Sequence, residues 1–167
     1  VMAARTAKIA EGLPRRPIVV KLAPDLSDEA LQATVATLLG HAVDGIAVSN
    51  TTLDRSGLTD PAAREAGGLS GRPLFHRSTV MLARVYQATE GRVPLIGIGG
   101  IDSPEAALAK IEAGASLLQL YTGLIYEGPS LIGRIKDHLA QTCRARGVTS
   151  IAQLTGTRAA DWAAKAP

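Results

Sequence analysis

The stretch VPLIGIGG at residues 93–100 is an apolar run that ends in paired glycines. The next apolar run, ASLLQLYTG at residues 115–123, ends in a tyrosine, a threonine and a glycine. Apolar runs without polar alternation are typical of parallel strands buried on both faces of a sheet. In parallel α/β barrels, the loops after the last two strands commonly form a phosphate site. Because glycine lacks a Cβ, its amide can approach an anion closely. The two strand ends therefore predict a ligand that carries a phosphate.

Apolar runs alternate with helical patterns through the rest of the chain. The predicted strands cover residues 17–23, 45–49, 93–98 and 116–120. The predicted helices cover a segment that opens at Asp25 or Ser27 and ends near Leu39, then residues 74–89, 103–114 and 129–146. A helical pattern also occupies the first residues, and a short helical tail is predicted within residues 151–167. Strands that alternate with helices predict a parallel sheet with right-handed crossovers.

The number of strand–helix units limits the architecture. A closed (β/α)8 barrel needs eight strands and typically ~250 residues, whereas this chain has 167 residues. We expect one domain over residues 1–167, which is either a small open α/β domain or the C-terminal half of a barrel. The sequence begins at Val1 inside a helical pattern, which suggests a piece of a longer chain.

Composition argues against several classes of function. Aromatic residues make up 3% of the chain, too few for a platform that stacks nucleic-acid bases. The net charge is +3 and the basic residues are scattered, which favours an ordinary solvated surface over nucleic-acid binding. The single cysteine, Cys143, cannot form an intrachain disulfide and is interpreted as a packing residue in a helix. The three histidines lack metal-ligand spacing, so no metal site is predicted.

Polar side chains follow the first two predicted strands. Lys21 lies near the end of the first strand, where it either extends into solvent or directs its charge at a ligand. Residues 49–52, SNTT, follow the second strand at the edge where α/β proteins bind ligands. They suit a small planar ligand with carbonyls and carboxylates. The alternative is a polar turn closed by side-chain hydrogen bonds.

A long polar loop spans residues 50–73 and ends in the glycine-rich GGLSG at residues 67–71. Loops of this length in compact domains are usually functional or disordered, but a glycine-rich loop alone is a weak signal. The pair Gly99-Gly100 and Tyr121-Thr122 is stronger, because these residues end successive strands. The N-terminus of a helix after such a loop adds about half a positive charge.

Five segments in order resemble the dihydroorotate dehydrogenases, the flavoproteins of pyrimidine synthesis. They are VKLAPD at 20–25, SNTTLDR at 49–55, GGLSGRPL at 67–74, PLIGIGGI at 94–101 and QLYTGLIYEGP at 119–129. The last segment is similar to the quinone-linked, membrane-associated class 2 of this family. The resemblance implies an FMN-binding (β/α)8 TIM barrel, of which this chain is the C-terminal half.

The resemblance also implies site residues. Contacts to FMN are expected from Lys21, Ser49, Gly71, Gly99, Gly100, Tyr121 and Thr122. Contacts to dihydroorotate or orotate are expected from Asn50 and Thr51. In this reading Lys21 stabilises the anionic reduced flavin, and Tyr121 and Thr122 hold the phosphate. Ser49 occupies a position that is often threonine in the family and keeps the hydroxyl.

The implied reaction is oxidation of (S)-dihydroorotate to orotate, with a quinone as the electron acceptor. The implied location is peripheral, on the cytoplasmic side of the inner membrane. The family's class 2 base, a serine, belongs to the N-terminal half and matches no segment here. We therefore expect no catalytic residue in this chain and no activity from it alone. The alternative is a non-catalytic phosphate- or FMN-binding half barrel that dimerises to cover its open sheet edges.

Overall fold

Four short strands form one parallel sheet in the computed structural model, which describes residues 1–56 and 58–167. The strands are β1 (Val19–Leu22), β2 (Gly45–Val48), β3 (Leu95–Ile98) and β4 (Leu117–Gln119). They lie side by side in chain order, with Val20 paired to Ile46 and Ile96 paired to Leu117. All four strands therefore end at one edge of the sheet, and the predicted order of units is confirmed.

Helices follow each strand and cover the sheet. They are α1 (Met2–Ala10), α2 (Asp28–Gly40), α3 (Phe75–Ala88), α4 (Pro104–Glu112), α5 (Thr122–Glu127), α6 (Ser130–Ala145) and α7 (Ala159–Ala163). Short 3₁₀ helices cover Pro61–Arg64, Arg72–Leu74 and Ile151–Leu154. The sequence patterns predicted all of the α-helices except α5. That helix has six residues, too few for an apolar period to be recognised.

Serine caps begin two of the helices. The Ser27 hydroxyl accepts a hydrogen bond from the amide of Ala30 at 3.2 Å, and the Ser103 hydroxyl accepts one from Ala106 at 3.1 Å. Pro104 then occupies the first turn of α4, where its missing amide proton costs nothing. Of the two candidate caps for α2, the structure uses Ser27, which leaves the Asp25 carboxylate for another role.

The main core lies between the sheet and its helices. Ile46, Val48 and Leu95 from the strands are fully buried against Val80 and Leu82 of α3. A second cluster joins α4 to α6 through Ile101, Ala107, Leu131 and Ile135. Cys143 is partly buried against the main core, as its interpretation as a packing residue predicts.

The outer strands differ from the inner ones. Every residue of β2 is buried, whereas Val19 on β1 is 47% exposed and Leu117 on β4 is 62% exposed. In a closed barrel both outer strands would have a neighbour. The architecture is consistent with part of a (β/α)8 barrel.

The long loop after β2 is tied back on itself. Thr52 and Leu69 form an isolated antiparallel bridge that closes its base. Residue 57 of the predicted loop lies outside the described residues.

Across residues 1–56 and 58–167, no helix combines the length and the apolar character that crossing a membrane requires.

Candidate functional site

The ends of the four strands surround a cavity of about 250 Å³. Every residue that the sequence singled out as a cofactor or substrate contact lines it: Lys21, Ser49, Asn50, Thr51, Gly71, Gly99, Gly100, Tyr121 and Thr122. These residues come from five separate segments of the chain. The parallel sheet brings them together because its strands all end at the same edge.

A larger cavity of about 700 Å³ adjoins the first. The two share Ser70, Gly71, Gly100, Thr122 and Gly123, so they are continuous across the glycine turns. The larger cavity lies between the long loop and α5 and does not reach Lys21 or Asn50. The smaller cavity contains the strand ends and therefore holds the candidate site, while the larger one extends it outward.

The turn after β3 accepts only glycine. Gly99 and Gly100 have φ angles of 101° and 69°, in the region that disfavours other residues. A Cβ on Gly100 would lie 2.4 Å from the Cβ of Phe75 and 2.5 Å from its Cα. Within the described residues, the backbone amides of both glycines have no hydrogen-bond acceptor. Gly100 is a buried residue, and a buried amide without an acceptor is costly. Such a turn is prepared for an anion.

The loop after β4 lies against the glycine-rich loop. The Thr122 hydroxyl donates a hydrogen bond to the Ser70 hydroxyl at 2.9 Å. A Cβ on Gly71 would meet Cγ2 of Thr122 at 3.1 Å. Tyr121 is 75% exposed, and its backbone amide has no acceptor among the described residues. Hydroxyls and amides from both loops therefore face the cavity that the β3 turn also lines.

The opposite wall of the cavity carries the polar residues of β1 and β2. Ser49 follows a cis peptide bond and is 1% exposed, and its hydroxyl donates to the Asn50 carbonyl at 2.9 Å. The backbone amide of Asn50 donates to the Leu22 carbonyl at 2.8 Å, which fixes the backbone at this strand end. The side chains of Lys21 and Asn50 are exposed and have no partner among the described residues. The Lys21 ammonium and the Asn50 side-chain amide are thus available to a ligand.

A carboxylate network that the sequence analysis missed holds the start of the long loop. Asp25 accepts hydrogen bonds from the Thr52 hydroxyl at 2.5 Å and from the Leu53 amide at 2.8 Å. Asp54 pairs with Arg77 of α3 at 2.6 Å. Hydrogen bonds from the amide and hydroxyl of Ser56, and then the Arg77 charge, lower the pKa of Asp54 to about 2. This network positions the segment that carries Asn50 and Thr51.

A buried lysine behind the β3 turn was also missed. Lys110 of α4 is fully buried, and its Nζ donates to the Ser78 hydroxyl at 2.6 Å and to the Ile98 carbonyl at 3.3 Å. Burial lowers the pKa of the Lys110 ammonium well below its usual range. A sequence signal existed, because Lys110 lies three residues after the apolar Ala107, which the structure shows to be buried. That spacing places it on the buried face of the helix.

Together these features define a class of protein. The strands of a parallel α/β sheet converge on a cavity with a glycine turn, unpaired amides and a free lysine. This is the arrangement of a barrel-type site for a phosphate-bearing ligand.

Comparison with known proteins identifies the family. A family model described as "Dihydroorotate dehydrogenase" matches residues 1–143, so the chain belongs to the dihydroorotate dehydrogenase family. Proteins from Brucella ovis and Brucella canis named "Dihydroorotate dehydrogenase (quinone)" are each 55% identical to it over 152 residues. The match covers 90% of this chain and 42% of each Brucella protein. The chain therefore spans about two fifths of the length of these relatives.

Solved structures agree with the family. The crystal structure of DHODH from Eimeria tenella in complex with ferulenol has a TM-score of 0.81 and 38% identity. It covers 86% of this chain, which corresponds to 38% of the Eimeria chain. The ligand-free form of the same protein has a TM-score of 0.81 and 39% identity. The resemblance carried by the five sequence motifs and the predicted fold class are both confirmed.

Proposed function

We propose that this chain forms the C-terminal half of a barrel enzyme that oxidises (S)-dihydroorotate to orotate in pyrimidine synthesis. FMN is the proposed cofactor and a quinone the proposed electron acceptor. Membership of the family supports the reaction, and the naming of the Brucella relatives as quinone enzymes supports the quinone. Because the chain covers 42% of those relatives, the activity is proposed for the complete enzyme.

One observation carries the proposal. The cavity at the strand ends combines unpaired amides at Gly99 and Gly100 with an unpaired ammonium at Lys21. Backbone amides at a glycine turn suit a phosphate, and a cation suits a ring system that gains negative charge on reduction. FMN carries both groups in one molecule.

The size of the site also fits FMN. Pockets for drug-sized ligands occupy roughly 300–1,000 Å³. The inner cavity of about 250 Å³ is slightly smaller than this range, and the adjoining cavity of about 700 Å³ falls within it. Gly71 and Gly100 line both cavities. A ligand with its phosphate at these glycines can therefore extend into either space.

FMN, when bound, supplies the acceptor for the hydride that leaves C6 of dihydroorotate. The protein's part is to bind and orient. At ~4 Å and an effective dielectric constant near 20, the Lys21 charge would stabilise a negative ring by ~4 kcal/mol before desolvation. Asn50 and Thr51 are assigned to the substrate, because their exposed side chains line the cavity beside Lys21. Ser49 and Gly71 line the same cavity and are assigned to the cofactor.

The catalytic base that removes the C5 proton is not assigned to this chain. Two serines line the cavity, and both hydroxyls have partners: that of Ser49 donates to the Asn50 carbonyl and that of Ser70 accepts from Thr122. The family resemblance implies that the base belongs to the N-terminal half of the barrel. General acid–base catalysis contributes roughly 10²- to 10⁴-fold in rate, so we propose that the isolated chain is inactive.

A quinone acceptor also supports a location. We infer that the complete enzyme associates peripherally with the cytoplasmic side of the inner membrane, through a segment outside this chain. Flotation of the complete enzyme with lipid vesicles tests the membrane association, and recovery in the protein-only fraction would oppose that association.

A second candidate function rests on the outer strands. Val19 and Leu117 expose apolar surface at the two unpaired edges of the described sheet. A half barrel that pairs these edges with a second copy would protect them. It would then act as a non-catalytic module that binds FMN or another phosphate-bearing ligand.

One experiment separates the two candidates. For this experiment, a completed enzyme is made by fusing this chain to the part of the Brucella ovis relative that lies outside the matched region. We expect it to show flavin absorption and to oxidise dihydroorotate with a soluble quinone, while the isolated chain does not oxidise dihydroorotate. An inactive but flavin-bearing dimer of the isolated chain, measured by light scattering, would favour the binding module. Dihydroorotate oxidation by the isolated chain would contradict the assignment of the base.

A further inference from the structure

Lys110 is the most unusual buried group in the described part of the chain. Its side chain is fully buried and its Nζ lies 5.4 Å from the centre of the Phe75 ring. Its hydrogen-bond partners are two neutral oxygens, the Ser78 hydroxyl and the Ile98 carbonyl. No ion pair among the described residues includes it. A buried ammonium without a carboxylate is costly, so a benefit to function is expected at this position.

The contacts of Lys110 fix the strand end that leads into the glycine turn. The Ile98 carbonyl accepts from Lys110 Nζ at 3.3 Å and from the Ser49 amide at 3.3 Å. The Gly99 carbonyl lies 3.3 Å from the Ser78 hydroxyl, which accepts from Lys110 Nζ at 2.6 Å. The single proton of that hydroxyl is shared between the Gly99 carbonyl and the Phe75 carbonyl at 3.2 Å. Two successive carbonyls are therefore held on the side of the turn that faces α3 and α4.

The direction of these carbonyls determines the direction of the amides. In a planar trans peptide, the carbonyl of one residue and the N–H of the next point in opposite directions. If the Ile98 carbonyl points at Lys110, the Gly99 amide points away from it. If the Gly99 carbonyl points at Ser78, the Gly100 amide points away from α3. Both amides lack an acceptor among the described residues, and both glycines line the cavity.

We propose that Lys110 is a positioning residue for the anion-binding turn. With Ser78 it holds the Ile98 and Gly99 carbonyls on one side, so that the two glycine amides face the phosphate of the cofactor. An amine donates hydrogen bonds in either protonation state, so this role does not depend on its charge. The inference rests on the proposed function, because it names the group that the turn binds.

The test compares FMN with riboflavin, which differs by the phosphate alone. The completed enzyme is stripped of flavin, and the dissociation constants of both flavins are measured by fluorescence quenching. In Lys110→Met we expect FMN to bind roughly 10- to 100-fold more weakly and riboflavin to change by less than about twofold. Ser78→Ala should shift the ratio in the same direction. Ile111→Val, a buried change on the same helix, should leave the ratio at the wild-type value.

The outcomes are distinct. A purely structural role for Lys110 would weaken both flavins together, and equal weakening in Lys110→Met would overturn the proposal. Replacing a buried charge by an apolar side chain is often neutral or stabilising, so we expect the thermal midpoint of this variant to be maintained. If Lys110→Met does not fold, a wild-type ratio in Ser78→Ala overturns the proposal. A wild-type enzyme that binds riboflavin as tightly as FMN would overturn the proposed phosphate site itself, and the Lys110 role with it.

Discussion

Substitution of Gly100 by alanine tests the turn on which the site depends. The φ angle of 69° at this position costs an L-residue ~1–2 kcal/mol. The added Cβ would lie 2.4 Å from the Cβ of Phe75, 2.5 Å from its Cα and 2.7 Å from its amide nitrogen. Two of these atoms are backbone and cannot move by changing a rotamer, so overpacking adds ~1–3 kcal/mol. We expect Gly100→Ala to reduce the free energy of unfolding by about 2–5 kcal/mol.

Two other glycines separate the backbone cost of this substitution from its steric cost. Gly128 has a φ angle of 72° and a ψ angle of 174°, a region that other residues rarely adopt, but nothing lies within 4 Å of a Cβ. Gly128→Ala therefore measures a backbone cost without a steric one. Gly133 lies inside α6, also with open space around it, and Gly133→Ala should stabilise by ~1 kcal/mol through helix propensity. From most to least stable, the predicted order is Gly133→Ala, wild type, Gly128→Ala and then Gly100→Ala.

Thermal unfolding followed by circular dichroism measures this order on the 167-residue chain. For a domain of this size, 1 kcal/mol shifts the midpoint by roughly 2–4 °C. Gly100→Ala should therefore lower the midpoint by about 4–20 °C, and Gly128→Ala by about 2–12 °C. If Gly100→Ala is no less stable than Gly128→Ala, the close approach of Phe75 does not exclude a Cβ. The reasoning about this turn would then be refuted.

Three further predictions concern charges and amides around the cavity, the first two measured in the completed enzyme. Lys21→Met should lower the reduction potential of the bound flavin in a spectroelectrochemical titration, and a wild-type potential with full flavin content would remove Lys21 from the flavin site. Asn50→Ala should reduce kcat/KM for dihydroorotate by roughly 10- to 100-fold while flavin content stays constant; unchanged kinetics would exclude Asn50 as a substrate contact. Because the pKa of Asp54 falls from 3.8 to about 2 on folding, its contribution to stability is present above about pH 4 and is lost as the pH falls towards 2. In urea unfolding, the stability difference between wild type and Asp54→Asn should therefore be present at pH 7 and largely lost near pH 2, and a difference that keeps its full size there would contradict this assignment.

The strand ends could be predicted because their signals are local. A short apolar run followed by glycine or hydroxyl residues specifies both the strand and the chemistry at its end. All nine predicted contacts consequently line one cavity, although they come from five segments of the chain. What the sequence could not provide was the neighbour of each polar group. Asp25 has the position of a helix cap, and only the fold shows that its carboxylate binds the loop at Thr52 and Leu53 instead.

The position of Lys110 shows a different limit of sequence reasoning. Lysine is almost never fully buried unless it is paired, so a lysine in an amphipathic helix is ordinarily placed on the solvent face. The spacing of three residues from the apolar Ala107 argues against that placement. Where residue type and position disagree, the exception is often a functional site.

The distribution of the site residues within the chain is the reason we expect it to bind the proposed cofactor without oxidising dihydroorotate. The glycine turn, the loop after β4 and the lysine behind them lie within this chain and are held by its own core. The outer strands, in contrast, leave Val19 and Leu117 exposed, so the cavity lacks the walls that further strands would supply. Phosphate recognition depends on local backbone geometry, which four strands can maintain. In the proposed reaction, the base that removes the proton is expected from the part of the barrel outside this chain. We therefore expect the chain to retain affinity for the proposed cofactor, while the proposed dehydrogenase activity depends on closure of the barrel.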